Sequence, residues 1–240
     1  MRKITLTLLG LIAVATTASA QEVKFGPKAG VNFTQINGKI IDEGDSFEFD
    51  KGLTGFHIGA FAEIKFNEKF AIQPELLYST QGGRYEESES GSEIIMGIPV
   101  NYNYNAEAKW NLHYINVPIM AKYYVIPSIA IEAGPYVGFN MSSKAEYELE
   151  GSISAAGITE YESDKGSEDM KKGTNSIDFG LGVGASFNLD NGFFAGVRYN
   201  LGLTKIAKEY TEIDEDGFEY KSDAYDIKNG VFQVSVGFKF

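Results

Sequence analysis

The chain contains no cysteine, one tryptophan and two histidines among its 240 residues. Without cysteine there can be no disulfide, although an exported compartment would permit one. A lipid-bearing cysteine anchor is excluded for the same reason. Stability must come from burial and hydrogen bonding alone. Beyond the first twenty residues no window approaches eighteen consecutive apolar residues, which excludes a membrane-spanning helix there. A membrane location would then demand a closed barrel, because only closure satisfies strand N–H and C=O groups in lipid. Basic residues are also scarce, 21 against 33 acidic. That balance excludes nucleic acid as a partner, since its phosphates need Lys and Arg to neutralise them.

What is present begins with an address. Arg2 and Lys3 precede a mostly apolar stretch from Ile4 to Val14, and Ala18-Ser19-Ala20 fits small-x-small cleavage. Residues 1–20 are expected to be a signal peptide cleaved after Ala20, leaving 21–240 as one β-barrel domain. The two lost basic residues take the net charge from −12 to −14.

Period-two alternation predicts eight strands near 24–34, 53–66, 70–80, 110–125, 129–140, 176–188, 192–203 and 229–240. Three connections are tight turns, at 67–69, 126–128 and 189–191, with Asp190-Asn191-Gly192 a hairpin signal. Four are long, near 35–52, 81–109, 141–175 and 204–228, and rich in Gly, Ser, Asp and Glu. Short turns at one end and long loops at the other is the outer-membrane layout, with the turns periplasmic and the loops extracellular. The expected fold is all-β, an eight-stranded antiparallel up-and-down transmembrane barrel.

Alternation alone does not say which face is outside. In the second strand Phe56, Ile58, Ala60, Ala62 and Ile64 oppose His57, Gly59, Phe61, Glu63 and Lys65; in the sixth, Ile177, Phe179, Leu181 and Val183 oppose Asp178, Gly180, Gly182 and Gly184. Glycine weakens a water-exposed strand but suits a narrow lumen, so the polar face points inward. Aromatics near strand ends (Phe66, Phe70, Trp110, Tyr123, Tyr124, Phe193, Tyr199) read as interfacial girdles. The final strand alternates Val234, Val236, Phe238 and Phe240, the pattern of a C-terminal signal read by outer-membrane assembly machinery.

The segments Phe25-Gly26-Pro27-Lys28-Ala29-Gly30-Val31-Asn32-Phe33, Gln73-Pro74-Glu75-Leu76-Leu77-Tyr78-Ser79 and Tyr114-Ile115-Asn116-Val117-Pro118-Ile119-Met120-Ala121-Lys122-Tyr123-Tyr124 resemble the PorT-like outer-membrane β-barrels of Bacteroidetes-type bacteria. Gly134-Pro135-Tyr136-Val137-Gly138, Asp178-Phe179-Gly180-Leu181-Gly182 and Arg198-Tyr199-Asn200-Leu201-Gly202-Leu203 fit the same pattern. The resemblance covers nearly all the strands and none of the long loops. It implies an eight-stranded barrel of porin-like type in a functionally diverse family, whose naming member is linked to type IX secretion. Function does not travel with a shared strand pattern.

The strand phases put Lys28, Glu63, Lys65, Glu75, Lys122, Glu132, Asp178, Arg198 and Lys239 in the lumen. Signs nearly balance, as buried charges require. An eight-stranded barrel holds little besides its own side chains, so the set reads as a plug; a narrow ion path or gated pore is the alternative. His57 should face the lumen, out of reach of a large substrate, and His113 the barrel rim near Trp110. No serine stands in a recognisable nucleophile context, so the enzyme class comes last. Acidic runs fill the loops: Asp42, Glu43, Asp45, Glu48 and Asp50; Glu86, Glu87, Glu89 and Glu93; Asp214, Glu215, Asp216 and Glu219. None follows a calcium-loop pattern, and the expected state is a solvated, repulsive surface. The sequence points to no cofactor, no metal site and no catalytic residue. The expected partners are outer-membrane lipid and lipopolysaccharide, the assembly machinery and a protein at the extracellular loops, with the barrel a monomer. Structural or surface-interaction roles lead; transport and an accessory role in secretion follow.

Overall fold

The computed structural model describes residues 22–42, 45–213, 219–222 and 225–240. The expected signal peptide and the loop acids Glu43, Asp214, Glu215 and Asp216 lie outside the described residues. In chain order the strands are β1 (Glu22–Asn37), β2 (Lys39–Asp42), β3 (Asp45–Glu48), β4 (Lys51–Lys65), β5 (Phe70–Ile95), β6 (Ile98–Ile126) and β7 (Ile129–Ala155). They continue as β8 (Ile158–Asp169), β9 (Ile177–Asn188), β10 (Phe193–Gly202), β11 (Tyr210–Ile213), β12 (Glu219–Ser222) and β13 (Lys228–Phe238).

Eight of them close a ring in the order β1-β4-β5-β6-β7-β9-β10-β13, every neighbour antiparallel. The first and last strands seal it, with Lys28 opposite Gly237 and Asn37 opposite Lys228. Closure leaves no edge in the ring, as lipid requires. The three tight turns fall where the sequence puts them. At the first, the Asn67 side-chain oxygen accepts from the N–H groups of Lys69 and Phe70, both at 2.9 Å. At the third, Gly192 takes φ +94°, a left-handed conformation that favours glycine.

Two of the long connections are not loops. Residues 81–109 and 141–169 are almost wholly pleated, because β5, β6 and β7 run on past the ring without a break and β8 pairs beside them. Their tips are two-residue hairpins, Met96-Gly97 and Ala156-Gly157, with φ +52°/+81° and +51°/+80°. Positive φ at both central residues is what a type I′ turn demands. The result is a four-stranded antiparallel sheet, β5-β6-β7-β8, standing above one end of the barrel. Glycine, serine and glutamate in these stretches give a loop-like composition, but the alternation continues through them. The other two connections carry the small β2–β3 and β11–β12 hairpins.

Polarity in the ring is inverted relative to a soluble barrel. Ile58 is 55% exposed and Leu76 58%, while Lys122 and Arg198 are each 2% exposed. Above the ring the inversion reverses. On β6 the outer face changes from Ile115, Val117 and Ile119 to Asn101, Asn103, Asn105 and Glu107, and the inner face from Lys122 and Asn116 to Tyr104, Tyr102 and Val100. The switch falls near residues 111–113. Below it the outer solvent is hydrocarbon and above it water, so one continuous strand wears both patterns.

Candidate functional site: the lumen and the raised sheet

Each ring strand except β9 sends a charged side chain to a single network, Lys239 doing so just beyond β13. Lys28 lies 3.1 Å from Glu75, Glu75 is held bidentate by Arg198 at 2.6 and 2.9 Å, and Arg198 Nε donates to Glu132 at 2.7 Å. Lys122 stands 3.7 Å from Glu132 and 3.3 Å from Glu63, and Glu63 accepts from Lys239 at 2.7 Å. The signs alternate along the whole chain, from Lys28 through to Lys239. Gln73 bridges it sideways, accepting from Lys122 at 3.0 Å and donating to Glu75 at 2.7 Å. Burying these ions is costly unless each finds partners, and here each has two or more except the end member Lys28.

Ring order gives the network its meaning. Arg198 on β10 and Glu75 on β5 are four strands apart in an eight-membered ring, so their bond crosses the full diameter. A second crossing lies nearer the raised sheet, where Asn229 on β13 donates to the Tyr114 hydroxyl on β6 at 3.3 Å. Between these levels His57 is 1% exposed, its Nδ1 2.7 Å from Asn32 Oδ1 and its Nε2 2.9 Å from Ser235 Oγ. On the other side of the ionic network, Phe61 and Phe194 meet edge-on at 5.3 Å.

β9 supplies space instead of charge. A Cβ at Gly180 would lie 2.2 Å from Tyr136 Cε1, and one at Gly184 3.1 Å from Arg198 Cβ. The bare wall receives the side chains projecting from β7 and β10.

The predicted lumen residues separate into three groups. Lys28, Glu63, Glu75, Lys122, Glu132, Arg198 and Lys239 form the network. Asp178 is buried apart from it and accepts from Asn229 at 3.1 Å and Tyr136 at 3.2 Å. Lys65 is only half-buried at the short-turn rim, its ammonium 4.6 Å from the Tyr124 ring centroid. Sequence reasoning missed Gln73 as a member of the network and Asn32, Tyr114 and Asn229 as bonded lumen residues, although each lies in the inward phase of its strand.

Two girdle assignments need correction. Trp110 is 7% exposed and donates to Ser143 Oγ at 2.7 Å; Tyr124 is 2% exposed and accepts from Lys239 at 3.0 Å. Both occupy even positions of β6, the inward phase. Phe66, Phe70, Phe193 and Tyr199 do face outward, and Tyr123 packs on Phe70 at 5.1 Å. Val236 and Phe240 of the C-terminal pattern are exposed, and Phe238 packs between Phe193 and Phe240. His113 points outward beside Tyr78.

The mouth below the raised sheet is roofed. Ile36, Trp110, Leu112, Tyr114, Ile206, Ala207 and Ile227 are buried together, with Ile40, Phe49, Met170 and Tyr225 packed on them. The first, third and fourth long connections thus meet over the lumen, and a bridge between Thr174 and Ala207 ties two of them. This differs from the expected solvated, repulsive loops: apolar residues spaced between the acids supply a small core. Several acids are paired as well, Glu86 with Arg84 at 2.8 Å and with Lys51, and Glu107 with Lys109 at 2.8 Å. Among the described residues no group of three or more His, Asp or Glu side chains is arranged to hold a metal ion.

The family comparison fits this geometry. The profile of a family described as outer membrane protein beta-barrel domain matches residues 19–208. No curated protein sequence matches the chain. Among solved structures it is similar to Ail, the attachment invasion locus protein of Yersinia pestis, at 14% identity and TM-score 0.41, covering 91% of this chain and 99% of that one. It is also similar to a major outer membrane protein of Thermus thermophilus (12%, TM-score 0.36, 91% and 100% covered) and to Acinetobacter baumannii CarO (12%, 0.33, 89% and 97%).

Proposed function

The chain belongs to the outer membrane protein β-barrel domain family, and from that premise we propose that it is a non-enzymatic, closed barrel which holds a β-sheet above the outer membrane for surface interaction. The observation that carries the closed lumen is the Arg198–Glu75 pair across the full diameter. The roof of apolar residues over the mouth supports it from above. The surroundings of the two imidazoles support the non-enzymatic reading: His57, with Asn32 and Ser235 beside it, is buried in the lumen, and His113 faces outward on Tyr78. Lipid and lipopolysaccharide surround the apolar band, and the assembly machinery reads Val236, Phe238 and Phe240. The strand segments quoted above support placing the chain in the PorT-like branch, and the basic start, apolar run and Ala18-Ser19-Ala20 support a cleaved leader at residues 1–20; a ring that closes on itself supports a monomeric barrel. The raised sheet, not the short turns, offers the surface for a protein partner.

Ion conductance of the refolded chain in a planar bilayer tests the closed lumen, with heat-dependent gel mobility verifying the folded barrel. The expected result is a folded, silent protein. Stable single-channel steps that vanish on boiling would overturn this reading and put a small pore in its place.

A further inference from the structure

The inner face of the raised sheet is organised in rows. Cross-strand pairs share a face, so register fixes its contents. On the central strands it carries Val100, Tyr102, Tyr104, Ala106 and Ala108 of β6 beside Ala155, Ile153, Gly151, Leu149 and Tyr147 of β7. On the flanking strands it carries Glu87, Glu89 and Glu93 of β5 and Glu160, Glu162 and Asp164 of β8. The face therefore has an apolar stripe two strands wide between two rows of carboxylates. It holds no Lys or Arg; Arg84, Lys109, Lys144 and Lys165 all sit on the opposite face.

We propose that this face is a docking surface for a cationic amphipathic helix, its apolar side seated along β6 and β7 and its lysines or arginines reaching the carboxylate rows. The proposal rests on the surface-interaction reading above and names its partner. Three observations support it. First, the stripe is uncovered: Tyr104, Tyr147 and Ile153 are exposed although they occupy the apolar face of an amphipathic sheet in water. Second, the dimensions fit. The two carboxylate rows are three interstrand spacings apart, about 14 Å, and a helix with its side chains is about 10–12 Å across. Third, the surface is flat where a helix would lie. Tyr102 reaches over Gly91, where a Cβ would be 2.4 Å from its hydroxyl, and Tyr147 over Gly166, where the distance would be 2.5 Å. The rings spread sideways toward the edges. The Tyr85 and Tyr102 hydroxyls donate to Glu87 and Glu89, holding those carboxylates at the border. A second copy of this chain does not satisfy the same face, because it would set carboxylate rows against carboxylate rows.

The test uses the folded chain in phosphatidylcholine nanodiscs and a fluorescent leucine–lysine helix of ~18 residues, about five turns. Empty discs serve as the blank. The expected result is saturable binding above the blank that the triple variant Glu160→Gln, Glu162→Gln, Asp164→Asn weakens about tenfold. The opposite-face triple Glu146→Gln, Glu148→Gln, Glu150→Gln should leave Kd unchanged, and a scrambled peptide of equal charge should bind no better than to empty discs. No binding above the blank, equal loss in both triples, or equal binding of the scrambled peptide would each overturn the proposal. Heat-dependent mobility confirms that each variant is folded. A folded, non-conducting barrel that ignores the helix sinks this inference alone, whereas a conducting barrel sinks the closed-lumen reading regardless of the peptide.

Discussion

At the scale of single residues, the lumen is governed by the cost of unpaired charge. Glu75 pairs with both Lys28 and Arg198. Glu75→Ala should destabilise the barrel by about 3–5 kcal/mol, because it leaves the buried Lys28 without its carboxylate and Arg198 with Glu132 alone. Replacing all three with apolar residues, Glu75→Leu with Arg198→Met and Lys28→Met, should restore most of that loss. Urea midpoints of refolding in lipid vesicles read the difference, and a triple variant no more stable than the single one would sink the argument. The network members were legible in the sequence because each lies in the inward phase of an alternating strand. Their partners were not: that Arg198 meets Glu75 and not Glu63 depends on ring order and strand tilt, which phase does not encode. Trp110 and Tyr124 were misread for a related reason. Aromatic type suggested the girdle, while their even positions on β6, shared with Lys122, already placed them inward.

At the scale of elements, the ring halves of the eight strands follow from period two, and the raised sheet was hidden by its composition. In 98–109 the alternation persists, with Ile98, Val100, Tyr102 and Tyr104 against Pro99, Asn101, Asn103 and Asn105. What changes is which phase is apolar, and a reader expecting apolar residues outside sees only a polar loop. Hydrogen exchange distinguishes a sheet from a loop. Amides of the central strands, 100–108 and 145–153, should be protected like those of the ring because each strand is paired on both sides. Exchange at loop rates across these residues would mean that the strands do not persist in solution.

At the scale of the whole molecule, the polarity switch near Asn111 sets the height of the protein against the membrane. From Trp110 to the β5–β6 tip is about twelve residues, or ~40 Å at 3.4 Å per residue. The short turns at the other end have no such reach. A peptide tag inserted at Gly97 should therefore be stained by antibody on intact cells, and one inserted at Asn191 only after permeabilisation. The reverse pattern would turn the molecule over. A hollow cylinder in a bilayer is squeezed from all sides and yields most easily by flattening along one diameter. Arg198 and Glu75 are joined along such a diameter, near the middle of the ring's height, and act as a spoke does in a rim. The cross-section is held round at that level, and whatever breathing the wall retains is pushed outward to its two rims.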